Sequence, residues 1–182
     1  MMSTKPRATI EDLYKVEGKA ELVNGEIVEM PPSGDDPSRA SLNIAMSLRQ
    51  YERHTERGRA YPEGAGFTVH LPHRESFSPD AAYHLGPRTG MRFLEGAPVF
   101  AVEVRSEHDY GPAAERAMRG KRADYFVCRT LVVWDVDLLS SDVIKAYKAS
   151  DPDNPAIFRR GDIADAEPAV PGWWVAVEEL FG

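Results

Sequence analysis

The stretch that decides the fold is Pro98-Val-Phe-Ala-Val-Glu-Val-Arg-Ser106. It is apolar on both faces up to Glu103, which is typical of a central strand that is covered on both sides. Gly111-Pro112 then predicts the start of a helix that runs to about residue 127, because proline is accepted in a first helical turn. Residues 130–136 form the next strand-like run. A strand, a helix and a strand in this order predict a βαβ unit with parallel strands.

The flanking segments complete an α/β prediction. Asn24-Gly25 predicts a type I′ turn in a hairpin over residues 20–30. Thr9, three residues before Asp12, predicts the N-cap of a short helix, and apolar spacing over residues 38–57 predicts a long amphipathic helix. Further strands are expected over residues 66–71, 80–85 and 143–148, and a short helix near the C-terminus. We therefore expect a single domain over residues 1–182, a mixed central sheet flanked by helices with an N-terminal β-hairpin, and a loose arm over residues 1–8.

The composition narrows the classes of function. The 182 residues include 22 Lys and Arg against 29 Asp and Glu, and the net charge of −7 argues at first sight against a nucleic-acid partner. Cys128 is the single cysteine, which excludes a disulfide framework and a multi-cysteine zinc site. The sequence shows neither an apolar run of the ~18 residues that a membrane helix needs nor a secretory signal. A cytoplasmic protein without membrane association is therefore expected.

Three ionisable residues fall where the sequence predicts a packed core. Glu103 interrupts the apolar strand, Asp80 follows Pro79 at the start of another strand, and Lys121 lies at the edge of the packing face of the second long helix. A buried carboxylate must be paired, metal-bound or protonated. Each residue also has an ordinary explanation. Glu103 can lie at a solvent-exposed strand end beside Arg105. Asp80 can belong to a Pro-Asp turn, and Lys121 can extend its ammonium group into water.

Taken together, the three residues favour phosphodiester hydrolysis. Mg²⁺ is typically held by one or two carboxylates together with phosphate oxygens and water. The bound metal polarises the phosphate and lowers the pKa of a bound water molecule. A nearby lysine can orient or activate the attacking water, or neutralise charge in the transition state. Two acids at adjacent strand ends and a lysine on the following helix would supply this set.

Four stretches carry a resemblance to a known family: Glu21-Leu-Val-Asn-Gly-Glu-Ile-Val28, Pro79-Asp80, Val102-Glu-Val-Arg-Ser106, and Lys121-Arg-Ala-Asp-Tyr125 leading into Leu131-Val-Val-Trp-Asp135. Their order and spacing resemble the PD-(D/E)XK nuclease superfamily, which has the restriction-endonuclease-like fold, and more narrowly the Uma-type restriction endonuclease family of bacteria. The resemblance implies metal ligands at Asp80 and Glu103, with Lys121 in the lysine role. It also makes Glu21 a candidate for an additional acidic ligand, the alternative being an exposed hairpin carboxylate.

The resemblance further implies Mg²⁺ (or Mn²⁺) as cofactor, DNA as substrate and a homodimer, since cutting both strands needs two sites. Arg105 stands where the superfamily motif has a lysine. Arginine cannot act as a base, but it can hold a phosphate through two hydrogen bonds. Residues 37–41 lack the histidine that the family often has, and the loop after Ser106 differs from the usual turn. These departures concern substrate recognition more than metal binding.

The distribution of charge changes the first conclusion about nucleic acid. Residues 37–59 and residues 111–129 each carry five Lys or Arg against two Asp or Glu, or +3. Such basic helices suit phosphate contacts, although solvated arginines are also common on helices. The leading hypothesis is a Mg²⁺-dependent endonuclease that hydrolyses DNA phosphodiester bonds. The second is a catalytically inactive nuclease-fold module for binding or interaction, which Arg105, the missing histidine and the acidic total favour.

Overall fold

The computed structural model describes residues 6–182. In this range the helices are α1 (Ile10–Leu13), α2 (Asp35–Thr55), α3 (Pro112–Val127) and a 3-10 helix (Val177–Phe181). The strands, in chain order, are β1 (Ala20–Val23), β2 (Glu26–Glu29), β3 (Arg59–Pro62), β4 (Phe67–Leu71), β5 (Arg74–Phe77), β6 (Ala81–His84), β7 (Leu94–Glu95), β8 (Phe100–Val104), β9 (Val132–Val136), β10 (Ile144–Lys148), β11 (Asp151–Phe158), β12 (Ile163–Asp165) and β13 (Trp174–Ala176).

The central sheet has six strands in the order β11-β10-β9-β8-β6-β3. The strands β8 and β9, which α3 connects, are parallel, so the predicted βαβ unit is confirmed. The other neighbouring pairs are antiparallel, which makes the sheet mixed. Strand β8 is apolar on both faces because both are covered: Phe100 and Val102 pack in one buried cluster, and Ala101 packs in another.

The first of these clusters lies under α2. Ala40, Ile44 and Leu48 recur at helical spacing and are buried against the central sheet. The helix begins at Asp35, three residues before the predicted start at Ser38, and ends at Thr55. The C-terminal segment completes this layer, since Trp173 belongs to the same cluster.

The opposite face of the central sheet is covered by α3 and by a second sheet that the sequence did not predict. This second sheet has the order β2-β1-β5-β4-β7. Phe67 and Phe77 from it pack with Ala101 of β8 and Tyr125 of α3. The predicted hairpin forms its edge, and Asn24 and Gly25 have the positive φ angles, 54° and 73°, of the expected turn. The hairpin is thus fixed against the core.

Strands β11 and β5 were not predicted, for reasons that their compositions make clear. The edge strand β11 contains Asp-Pro-Asp-Asn-Pro, a composition that reads as a turn and that only an edge strand accepts. Strand β5 (Arg74–Phe77) begins with a buried arginine, and its polar residues do not show the alternation of apolar residues that would predict a packed strand. The predicted arm over residues 1–8 lies partly outside the described residues, and within them the Ala8 amide donates to the Gly25 carbonyl oxygen at 2.8 Å. None of the helices in residues 6–182 has the length and apolarity needed to cross a lipid bilayer.

Candidate active site

One cleft of about 430 Å³ is lined by all four of the acidic and lysine residues that the sequence analysis singled out: Glu21, Asp80, Glu103 and Lys121. Asp80 directly precedes β6, and its amide donates to the Val102 carbonyl of β8 at 2.9 Å. Glu103 lies one residue further along β8, and Lys121 reaches the cleft from α3. Glu21 comes from β1 of the second sheet. The cleft therefore lies where the two sheets and α3 meet.

Asp80 is held at both carboxylate oxygens. The Val104 amide of β8 donates to Oδ2 at 2.7 Å, and the Lys19 ammonium donates to Oδ1 at 2.5 Å. The side chain retains only 11% of its exposure. The Pro79-Asp80 dipeptide is thus part of the sheet structure and not an exposed turn, because its carboxylate bridges β6 and β8 toward the cleft.

Lys121 pairs with two carboxylates inside the cleft. Its Nζ lies 2.8 Å from Glu21 Oε1 and 2.9 Å from Glu103 Oε1, and the side chain is 16% exposed. Burial opposes the charge, but the two carboxylates outweigh it and raise the pKa of Lys121 above its ordinary value. The ammonium therefore remains protonated and points into the cleft, not into open solvent.

Glu103 accepts from a hydroxyl and from an ammonium group in the cleft. The Tyr125 hydroxyl donates to its Oε1 at 2.7 Å, and Tyr125 in turn stacks on Phe77 at 3.9 Å between ring centroids. The side chain keeps 24% of its exposure, on the cleft side. Burial, together with the nearby charges of Asp80 and Glu21, raises the pKa of Glu103 even though Lys121 opposes the shift. A cation bound beside it would relieve this unfavourable charge.

Both carboxylate oxygens of Glu21 already have partners in the protein. Its Oε1 accepts from the Ser78 amide at 2.8 Å and pairs with Lys121, and its Oε2 accepts from Arg74 at 2.7 Å. The side chain is 6% exposed. This geometry differs from the additional metal ligand that the resemblance implied, and also from an exposed hairpin carboxylate. It makes Glu21 the residue that anchors Lys121.

The guanidinium of Arg105, for which a phosphate contact was predicted, binds two carboxylates in the structure. Its Nε and Nη2 donate to the two oxygens of Asp135, each at 2.8 Å, and its Nη1 donates to Glu115 Oε1 at 2.5 Å. These partners raise the pKa of the guanidinium further, and the residue is buried. Arg105 thus forms a bidentate pair that joins the end of β8 to β9, and the phosphate contact expected at this residue stays a prediction.

Lys19 is the residue of the cleft that sequence reasoning missed. Besides Asp80 it lies 3.5 Å from Glu63 Oε1, which also accepts from the Ser33 hydroxyl at 3.2 Å. A signal was present, because Lys19 and Glu21 are two residues apart and alternation along a strand puts both on one face. The signal was weak, since a lysine ahead of a hairpin is ordinary.

The cleft fits a divalent cation in chemistry although lysines now neutralise its acids. Among residues 6–182 no group of three His, Cys, Asp or Glu side chains is arranged to hold a metal ion. Ammonium groups of Lys19 and Lys121 contact the acids of the cleft. Its lining includes six Asp or Glu and five Lys or Arg side chains, a formal charge of −1. Carboxylate oxygens are the ligands that Mg²⁺ prefers. A bound divalent ion would make the lining +1, which favours a phosphate.

Comparisons with known proteins agree with this fold. The model of the Uma2 family, described as "Putative restriction endonuclease", matches residues 8–178. A solved structure described as "a putative nuclease belonging to DUF820", from Anabaena variabilis ATCC 29413, has a TM-score of 0.73 over 95% of this chain and 97% of that chain. The two sequences are 16% identical, so the likeness is one of fold. No curated protein matches significantly. The predicted fold class is thereby confirmed.

Proposed function

The chain belongs to the Uma2 family of restriction-endonuclease-like proteins, and from this membership we propose that it is a Mg²⁺-dependent endonuclease that hydrolyses DNA phosphodiester bonds. The observation that carries the proposal is the meeting of Asp80, Glu103 and Lys121 in one cleft. Mn²⁺ would substitute for Mg²⁺. In this proposal the chain acts in the cytoplasm as one nuclease domain, and two copies act together on the two strands of a duplex.

The carboxylates of Asp80 and Glu103 would hold the cation. A bound Mg²⁺ supplies Lewis acidity that polarises a phosphate and acidifies a coordinated water molecule. Asp80 presents Oδ1 to the cleft because its Oδ2 is fixed by the Val104 amide. Glu103 is oriented by the Tyr125 hydroxyl. Both acids therefore come from a rigid sheet, which suits a site that must keep its geometry.

Lys121 would stabilise the transition state rather than remove a proton. Its raised pKa keeps the ammonium charged, so it is a poor base and a good donor to a non-bridging phosphate oxygen. Glu21 and Arg74 fix it from behind. Exposed arginines of α3, Arg116 and Arg119, would contact the neighbouring backbone phosphates.

Nicking of supercoiled DNA tests the proposal. We expect cleavage with Mg²⁺ or Mn²⁺ and none with a chelator, and we expect Glu103→Gln to lower the rate at least about a hundredfold while the protein stays folded by circular dichroism. Glu107→Gln is the matched control, because Glu107 is an exposed carboxylate in the following loop. Equal rates for the wild type and Glu103→Gln would refute the assignment.

The second candidate function is a catalytically inactive module that keeps the nuclease fold. The observation favouring it is the pairing of Asp80 with Lys19, which leaves the cleft almost neutral without a metal. Calorimetric titration with Mn²⁺ separates the two functions. Saturable binding that depends on Asp80 supports the nuclease, whereas absence of binding supports the module.

A further inference from the structure

A lysine lies on the carboxylate oxygen that the proposed cation would need. Lys19 Nζ is 2.5 Å from Asp80 Oδ1, and both side chains are nearly buried, at 13% and 11% exposure. The other oxygen of Asp80 already accepts from the Val104 amide at 2.7 Å. Because the Val104 amide holds Oδ2, Oδ1 is the oxygen that faces a ligand. An ammonium ion and a divalent cation on this one oxygen would repel each other, so binding of the cation favours displacement of the ammonium.

The structure also provides a second acceptor for this ammonium. Glu63 Oε1 lies 3.5 Å from Lys19 Nζ, and the Ser33 hydroxyl donates to the same oxygen at 3.2 Å. The Glu63 side chain is 31% exposed, so it belongs to the rim of the cleft. Lys19 therefore needs only a small displacement to exchange one carboxylate for another.

We propose that Lys19 is a built-in counter-ion, which occupies the cation position on Asp80 in the metal-free protein and moves to Glu63 when a divalent cation binds. This inference rests on the metal-dependent function proposed above. It explains how Asp80, Glu103 and Glu21 are kept close together, where the two sheets meet, without a metal. An isolated buried carboxylate costs several kcal/mol, and the lysine offsets this cost until the cation replaces it.

A lysine suits this exchange better than an arginine would. The ammonium is a compact point charge on a flexible four-carbon stem, whereas a guanidinium binds both oxygens of a carboxylate in a fixed geometry. Burial opposes the charge of Lys19, but Asp80 and Glu103 raise its pKa, so the group stays an ammonium ion. The competition is therefore between two cations, and Lys19 need not lose its proton.

Calorimetric titration of the full chain with Mn²⁺ tests the proposal through affinity. Lys19→Met keeps an unbranched stem of similar size and removes the competing ammonium, so we expect Mn²⁺ to bind about tenfold more tightly, or about 1.4 kcal/mol. Lys19→Arg should bind more weakly than the wild type, because the guanidinium holds Asp80 more firmly. Glu63→Gln should also bind Mn²⁺ more weakly, since the displaced ammonium then finds a neutral amide oxygen in place of a carboxylate. Lys15→Met, at a lysine that is 75% exposed, is the control and should leave the affinity unchanged.

The outcomes separate this inference from the proposed nuclease function. A merely structural role for Lys19 would lower the melting temperature of Lys19→Met without tightening Mn²⁺ binding, and that result overturns the inference. In the double variant with Asp80→Asn the gain should disappear. Tighter Mn²⁺ binding by Lys19→Met, without DNA cleavage by any variant, would support the counter-ion role of Lys19 and refute the nuclease function. DNA cleavage with an unchanged Mn²⁺ affinity in Lys19→Met would support the nuclease function and refute the counter-ion role. Absence of Mn²⁺ binding in every variant overturns both.

Discussion

Two clusters of charged residues lie near the end of β8, and they neutralise buried carboxylates in different ways. In the lysine cluster, Lys19 and Lys121 neutralise the acids of the cleft, each through single contacts of 2.5–2.9 Å. In the arginine cluster, Arg105 binds both oxygens of Asp135 and also reaches Glu115. The two clusters are neighbours in the chain, since Glu103 lies in β8 and Arg105 directly follows the end of this strand.

The difference shows which carboxylates can exchange their lysine or arginine partner for a ligand. A bidentate arginine pair contacts both oxygens of its partner and fixes its orientation, so Asp135 is committed to joining β8 and β9. A lysine contact occupies one point and leaves the rest of the carboxylate open. We infer that the arginine cluster holds the sheet together and that the lysine cluster is the exchangeable one.

The largest expected effect on stability comes from breaking the arginine cluster. Asp135→Asn leaves a buried guanidinium short of a partner, and we expect the free energy of unfolding to fall by about 3 kcal/mol. Asp80→Asn should cost clearly less, because an asparagine oxygen can still accept from Val104 and Lys19 retains Glu63. Urea unfolding of the metal-free proteins at pH 7 measures both. Equal losses would show that the two clusters are equally structural.

An intermediate loss of stability is expected on acidification at Glu21, which contacts both a lysine, Lys121, and an arginine, Arg74. Burial works against the ionised form of Glu21, but Lys121 and Arg74 lower its pKa below the ordinary 4.5. The stabilisation is therefore complete above that pH and is lost as the pH falls through the lowered value. We expect Glu21→Gln to be less stable than the wild type at pH 7 and the difference to shrink below pH 4.5 in unfolding measurements. Glu26→Gln, on the exposed start of β2, is the control. A difference that is constant with pH would contradict the assignment.

The smallest effect is expected at the rim of the arginine cluster. Glu115 is 50% exposed, whereas its partner Arg105 keeps Asp135. Glu115→Gln should therefore lower the free energy of unfolding by less than about 1 kcal/mol, and added salt should reduce that loss further. Thermal melts at two salt concentrations check this. A loss as large as that of Asp135→Asn would mean that the cluster acts as one unit.

Local signals predicted the elements that position the site. The apolar stretch around Glu103, the Gly111-Pro112 start of α3 and the Asn24-Gly25 turn all appear where they were expected. These features depend on neighbouring residues: alternation on a strand, a fixed φ angle in proline and positive φ angles in a tight turn. Glu103 and Lys121 were identified for the same reason, because each departs from a local apolar pattern, and Asp80 was identified because it follows Pro79 at the start of a strand.

The partners of these residues could not be predicted in the same way. Arg105 has the right chemistry for a phosphate, but Asp135, 30 positions away in sequence, binds it. Glu21 has the right chemistry for a metal, but Arg74 and Ser78 engage it through the second sheet. Such pairings depend on register between strands that are distant in the chain, and no periodicity in the sequence encodes them.

The sequence by itself determined the fold class, the βαβ unit and the family, since periodicity, turn chemistry and the spacing of Asp80 and Glu103 are local or one-dimensional. Tertiary structure alone decided which carboxylates are open to a ligand. That property depends on the order of strands across two sheets, because a charge in a region of low dielectric is governed by whichever groups lie within a few ångströms. Lys19 shows this most clearly: 61 positions separate it from Asp80 in the chain, and 2.5 Å separate them in the cleft.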